Sequence, residues 1–307
     1  MGVGVEDRVR RLSEVSARSV VEPDDAVRGS FGTGQVLPDE LLSVAGLPLA
    51  ETLTDDQRAR LSREEVAAIV EEGVRFEAVL MAGFGLAMSR AADLTDERIT
   101  YVLHEVGEET RHSRLFVRML DELGARGTSP FNRGLLGVVK RLIIRSILGR
   151  PALFHVLVLA GEEIPDLFQK LSGEHPGTDA FLRQVNRYHR QEEARHLGFA
   201  RAVLPELWAR ASWWERLRVR WHAPLIIEVM FDMLVHPGVY EAVGLPPWRT
   251  WWAAKRSDAR LQLRYQATRP IVQALAAAGA FPSGRLPYLW SRLTGTSSIG
   301  GGVGTPA

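Results

Sequence analysis

The sequence encodes an all-α protein: a four-helix bundle core with additional helices packed against it. Apolar residues recur at three- and four-residue intervals along four long stretches, the period of a helix with one buried face. No run alternates apolar and polar residues over strand length. Turn-rich breaks divide the four stretches into two hairpin-like pairs. With 307 residues, 46% of them hydrophobic, the chain can fill a sizeable core.

Residues 1–61 mix turn formers with weak periodicity and read as a wrapping segment with short helices. A helical domain is expected over 62–280. Its first long helix opens at Ser62-Arg63-Glu64-Glu65, which has capping-box spacing. It runs to about Arg90, with Val66, Val70, Val74, Leu80, Met81 and Phe84 on one face. Asp93-Leu94-Thr95 is a turn, and Asp96 and Glu97 suit the start of a second helix ending near Leu123. A loop over 124–134 leads into a more apolar segment up to Leu148. Gly149-Arg150-Pro151 then places Pro151 at the start of the third long helix. After a loop over 172–179 the fourth runs from Ala180 to Val203, with Pro205 as its stop. The bundle proper thus covers 62–205. Seven of the eight tryptophans fall in 206–280, which reads as extra helices packed onto the bundle. Residues 281–307 are a tail whose Gly/Ser-rich end is expected to be disordered.

Composition narrows the chemistry. Basic and acidic residues number 38 and 37, so net charge gives no argument for nucleic acid or an anionic membrane as partner. With no cysteine, thiolate zinc sites, iron–sulfur clusters and cysteine nucleophiles are excluded, and any metal must be held by His and carboxylate. The first residues contain no signal-type apolar run. The most apolar stretches, 135–148 and 224–235, are too short or too charged to span a bilayer. A cytoplasmic protein without a membrane partner is the expectation.

Two segments nearly repeat. Glu108-Glu109-Thr110-Arg111-His112 and Glu192-Glu193-Ala194-Arg195-His196 both read E-E-x-R-H, 84 residues apart (109 to 193). Glu and His three residues apart share one helix face. Val102, Glu105, Phe116 and Leu120 lie on the stripe of Glu109, and Leu182, Val185, Leu197 and Ala200 on that of Glu193, so both motifs point inward. Buried carboxylates are costly unless paired or metal-bound. A Glu-x-x-His from each of two helices plus a Glu from each of two others is the ligand set of di-iron carboxylate bundles. The remaining carboxylates follow from register. Glu77 and Glu109 stand 16 residues either side of Asp93 (77, 93, 109), at equal height in an antiparallel pair, roughly 24 Å from the turn. On the third helix Glu163 is nearer the apolar stripe, whereas Glu162 shares a polar face with His155, Asp166 and Gln169; Glu163 is favoured. His189, four residues before Glu193, is either a seventh ligand or a hydrogen-bonded core histidine. Arg111 and Arg195 are expected as structural ion-pair partners.

The run from Tyr188 to Ala200, with its H-x-x-x-E-x-x-H pattern at His189, Glu193 and His196, resembles the p-aminobenzoate N-oxygenase family of non-haem di-iron arylamine oxygenases. Glu109 and His112 also fit, and the resemblance spans about 62–205. It implies a ferritin-like fold and a centre of two iron ions held by Glu77, Glu109, His112, Glu163, His189, Glu193 and His196. It also implies O2 as co-substrate and an aryl amine taken through hydroxylamine and nitroso stages towards nitro, in natural-product biosynthesis. The alternatives are a di-iron hydroxylase or desaturase acting on carbon, and a ferritin-like metal-binding protein without organic substrate. A cavity beside the cluster, lined by residues such as Met81, Phe84, Tyr101 and Phe116, would favour an oxygenase. No reductase module or flavin motif is present, so electrons are expected from an external donor or from the substrate itself; a homodimer is compatible with the reading.

Overall fold

The computed structural model describes residues 4–299. Helix α1 (Val5–Arg18) lies against the later helices of the bundle, and short helices α2 (Pro23–Ala26) and α3 (Pro48–Glu51) carry the chain along its flank. This wrapping segment buries Val36, Leu42 and Val44. The bundle consists of α4 (Asp55–Ser89), α5 (Glu97–Leu123), α7 (Pro151–Glu174) and α8 (Ala180–Arg210), with α6 (Gly134–Leu148) inserted between its two hairpins. The C-terminal layer comprises α9 (Trp213–Trp221), α10 (Ala223–Met233), α11 (Pro237–Glu241), α12 (Pro247–Arg256), α13 (Asp258–Ala277) and α14 (Tyr288–Thr294). Among the described residues no strand forms, and Arg285 and Ser298 make an isolated bridge.

Several boundaries fall where local chemistry dictates. Asp96 caps α5 by accepting from Arg98 N, and Asp179 caps α8 through the amides of Phe181 and Leu182. Gly124 takes a left-handed conformation (φ 56°) to end α5. Pro151 occupies the first turn of α7. Two expected boundaries move. α4 is capped eight residues earlier (54 in place of 62), because Thr54 and Gln57 form the reciprocal capping box. Ser62 is instead inside the helix, fully buried, donating to Ala59 O and accepting from Val36 N. Pro205 does not stop α8, which continues to Arg210. Leu204 is buried and Leu207 and Trp208 pack on the same core, so tertiary contacts offset the one backbone bond the ring removes.

Two apolar clusters sit at opposite ends of the bundle. One holds Leu80, Phe84, Tyr101, Leu153, Leu197 and Val203; the other holds Leu61, Val66, Leu115, Met119, Phe181 and Leu182. Along α4, α5 and α8 the gap between the clusters is filled by Glu77, by 105–112 and by 189–196. A buried polar slab therefore lies mid-bundle, closed by hydrocarbon above and below. The C-terminal layer covers one side. Trp251 donates to Val235 O at 2.9 Å and Trp290 to Val219 O at 3.2 Å. The stretch read as a tail contributes α14 and the fully buried Trp290; its last residues, 300–307, lie outside the described part. Ala223–Glu241 is apolar enough to cross a membrane by composition, yet 72% of it is buried inside this layer.

Candidate metal centre

The two E-E-x-R-H motifs sit on α5 and α8 and interlock crosswise. In each, the second Glu and the His point between the helices, and the first Glu points at the sister helix. Glu108 Oε2 lies 2.7 Å from His196 Nε2, and Glu192 Oε2 lies 2.8 Å from His112 Nε2. Arg195 donates to Glu108 at 2.8 Å and Arg111 to Glu192 at 3.3 Å. Each imidazole thus gives its Nε2–H to a carboxylate that an arginine anchors, which leaves Nδ1 for the interior.

The interior atoms converge. His112 Nδ1 is 3.5 Å from Glu109 Oε2 and 3.4 Å from Glu193 Oε1. His196 Nδ1 is 3.1 Å from Glu109 Oε1 and 3.2 Å from Glu193 Oε2. Glu109 and Glu193 therefore lie between the two imidazoles. His189 directs Nε2 to Glu193 Oε1 at 3.4 Å and Glu77 Oε1 at 3.8 Å. Its Nδ1–H donates to Gln169 Oε1 at 3.0 Å and its ring stacks on Phe116. Glu77 accepts the Ser113 hydroxyl, and Glu162 brings a carboxylate oxygen within 4.8 Å of Glu193 and His196. Four overlapping groups of these side chains, all buried, keep their donor atoms within 4.8 Å: Glu77–His112–His189, Glu105–Glu109–His196, Glu109–His112–Glu193 and Glu162–Glu193–His196.

Six of the seven expected ligands meet here, and the seventh is corrected. Glu163, itself buried, turns away from the cluster to Arg201, with which it forms an ion pair, and Glu162 takes the inward position. The polar face that argued against Glu162 is the site face: Gln169, on the same stripe, holds His189. Glu105 joins the cluster one turn before Glu109; its place on the inward stripe was the signal, read only as a packing position. The substrate-contact expectation is corrected too. A cavity of about 930 Å³ abuts the cluster, and Phe116 lines it, but Met81, Phe84 and Tyr101 do not. Phe84 packs edge-on against Phe154, and Tyr101 stacks on Phe199 at 4.3 Å, both within the apolar end cluster.

The electrostatics are those of acids and imidazoles crowded away from water. Burial pushes the Glu105 carboxyl up to about 8. Burial, with Glu109 beside one and Glu193 beside the other, holds Glu77 and Glu162 well above the usual carboxylate range. Burial opposes charge on His112, yet the neighbouring Glu109 carboxylate and the bond to Glu192 raise it to about 10. His196 is likewise raised against burial, chiefly by Glu193. His189 goes the other way, lowered to about 4 by burial and the neighbouring charge on His112. Both oxygens of Glu109, Glu105 Oε2, His112 Nδ1 and His189 Nε2 are buried without an aligned hydrogen-bond partner. Five carboxylates and three imidazoles with lone pairs aimed at a common interior fit divalent cations of the borderline class.

Fold and site together define an all-α, ferritin-like protein of the di-iron carboxylate type. A profile of the P-aminobenzoate N-oxygenase AurF family matches residues 4–279, and the chain belongs to that family. Membership supports a di-iron, N-oxygenase-like enzyme. Among curated proteins, the chain is 26% identical over 197 residues to the uncharacterized protein Rv0885 of Mycobacterium tuberculosis and equally to the uncharacterized protein Mb0909 of Mycobacterium bovis. The match covers 62% of this chain and 55% of each relative, so the chain spans about half the length of the curated relatives it matches.

Proposed function

We propose that this chain is a di-iron oxygenase that oxidises the nitrogen of an aryl amine with O2 as co-substrate, in natural-product biosynthesis. The observation that carries the reading is the shared wall of cluster and cavity: Glu77, Glu109, Glu162, His189 and Glu193 line both. A filled core would suit metal storage; a largely apolar cavity of about 930 Å³ suits an organic substrate.

Glu77, Glu109, His112, Glu162, His189, Glu193 and His196 would hold the two irons, and Glu105 stands beside them. Bound iron would supply O2 activation, fed by an external electron donor. The protein's own work is different. Glu108 and Glu192 orient two imidazoles, Gln169 orients the third, and the apolar walls exclude water and hold the aryl ring. Glu105, whose carboxyl burial raises, stands beside His196 and Glu109 at the edge of this set.

Metal analysis followed by O2 exposure of the reduced protein with a panel of aryl amines tests this. The expected result is about two irons per chain and N-oxidised product. One iron or none sinks the centre; O2 consumption with oxidation only at carbon sinks the N-oxygenase assignment in favour of a hydroxylase or desaturase.

A further inference from the structure

Helix α6 presents the wrong face to water. A surface helix of a globular protein keeps its polar side outward. Here Leu135, Val138, Val139 and Leu142 recur at three- and four-residue spacing on the solvent side. Leu135 is 77% and Leu142 61% exposed. Val139 and Ile143, exposed on α6, also line the cavity, as do Leu225 and the 53%-exposed Val229 on α10. The apolar outer face is therefore continuous with part of the cavity rim. The charge of α6 is one-signed: from Arg133 through Gly161 there is no Asp or Glu, and Arg141 and Arg145 flank the exposed stripe; on α10 Glu228 is paired with Arg264 and Arg292, and Asp232 with Lys255. Lys140, turned inward, is paired with Glu72 at 2.7 Å.

We propose that α6 and the adjoining face of α10 dock on an anionic lipid bilayer surface, so that the cavity opens to the membrane interface and draws an apolar or amphiphilic substrate from it. An interfacial helix combines such an apolar face with flanking cations. A second copy of the chain fits less well, because an isologous contact would set Arg141 and Arg145 against the same residues with no acid on either helix. An acidic protein partner fits less well too: protein interfaces carry a hydrogen bond every 100–200 Å², and the outward stripe offers no side chain that makes one. The membrane-free expectation rests on net charge and on the lack of a spanning segment; averaging over the whole chain hides an acid-free stretch, and a helix lying on the surface needs no span. Delivery of substrate rests on the oxygenase reading; the docking does not.

The test is flotation of the iron-loaded full chain with vesicles of equimolar phosphatidylcholine and phosphatidylglycerol, against phosphatidylcholine alone. The anionic vesicles should carry several-fold more protein. Leu135→Asp with Leu142→Asp should abolish flotation, and Arg141→Glu with Arg145→Glu should abolish the preference for anionic lipid, with circular dichroism and iron content unchanged in both. A chain that stays below vesicles of either composition overturns the proposal. If it then proves to be a dimer that the Leu135→Asp/Leu142→Asp variant splits, the face belongs to a second copy; if it floats only when an acidic protein is anchored to the vesicle, the face belongs to that partner. Iron content on the same samples tests the oxygenase reading separately, so either idea can fail alone.

Discussion

Glu162 and Glu163 are neighbours in sequence and about 100° apart around α7, and the cluster takes one of them. Glu162→Ala should lose bound iron. Glu163→Ala should keep both irons and cost no more than about 1 kcal/mol, because Arg201, its partner, is 41% exposed and screened by solvent. Metal analysis and thermal melts of the two variants decide; iron loss in Glu163→Ala would reverse the assignment. A second single-residue effect concerns His189. Gln169 accepts its Nδ1–H and so keeps the Nε2 lone pair on the cluster side. Gln169→Leu should weaken iron binding by about 10–100-fold, the usual effect of losing such an orienting partner, and nitrogen NMR of His189 should show mixed tautomers. Gln169→Glu should restore both signals. The histidines and paired glutamates were legible in the sequence because two copies of one spacing on separate helices are improbable by chance. The choice at 162 was not, because a polar stripe facing a metal centre looks, in one dimension, like a stripe facing water.

At the scale of elements, α4 and α7 approach closely through glycine. A Cβ at Gly161 would stand 2.0 Å from the Phe76 ring and one at Gly83 would stand 2.2 Å from the Phe154 ring, whereas one at Gly85 meets nothing. Gly161→Ala should therefore destabilise the fold by about 1–3 kcal/mol through overpacking. Gly85→Ala, exposed within the last two turns of α4, should stabilise it by about 0.5–1 kcal/mol. Equal shifts in denaturant midpoint would remove the close-packing account. The wrapping segment adds a pH-dependent tie. Burial raises Glu65 to about 7, although Ser43 bonds to it through amide and hydroxyl, and that hydroxyl reaches Tyr240 at 2.8 Å. An acid raised on folding favours the folded state at low pH, and the advantage is lost as pH climbs from about 4.5 to about 7, on the order of 3 kcal/mol in all. Glu65→Gln should lack this decline, so its melting temperature relative to the parent should rise over that interval and level off above it. A flat difference across the interval counts against a raised Glu65. Helix starts marked by Pro or Asp were readable from sequence. The start of α4 was not, because two capping-box patterns stand eight residues apart (54 and 62), and Val36 decides between them by donating to Ser62.

For the whole molecule, the carboxylate slab between two apolar ends makes stability depend on cations. Iron(II) that binds the folded chain alone stabilises it by about 2.7 kcal/mol per site at a hundred times the dissociation constant. Anaerobic iron(II) should raise the melting temperature by several degrees, and a chelator should reverse the rise. An unchanged melt with and without iron would leave the buried carboxylates needing another explanation. The order of the bundle helices was readable at this scale. The position of the cavity was not, since it depends on how α6 and α10 close on α4 and α7, which no periodicity records.

The crossed pairing of Glu108 with His196 and Glu192 with His112 bears on assembly. Neither hairpin carries a finished half of the centre: α4 and α5 bring Glu77, Glu109 and His112, but the acceptor that orients His112 arrives with α8. Sliding α8 by one turn, about 5.4 Å, would bring Glu108 opposite Glu192 or Ala200 in place of His196. The misaligned bundle would then face acid with acid, or with nothing, and leave both imidazoles unsteered. The crossed pairs thus act as a key to helix alignment: both imidazoles are steered only when the two hairpins have met in one register.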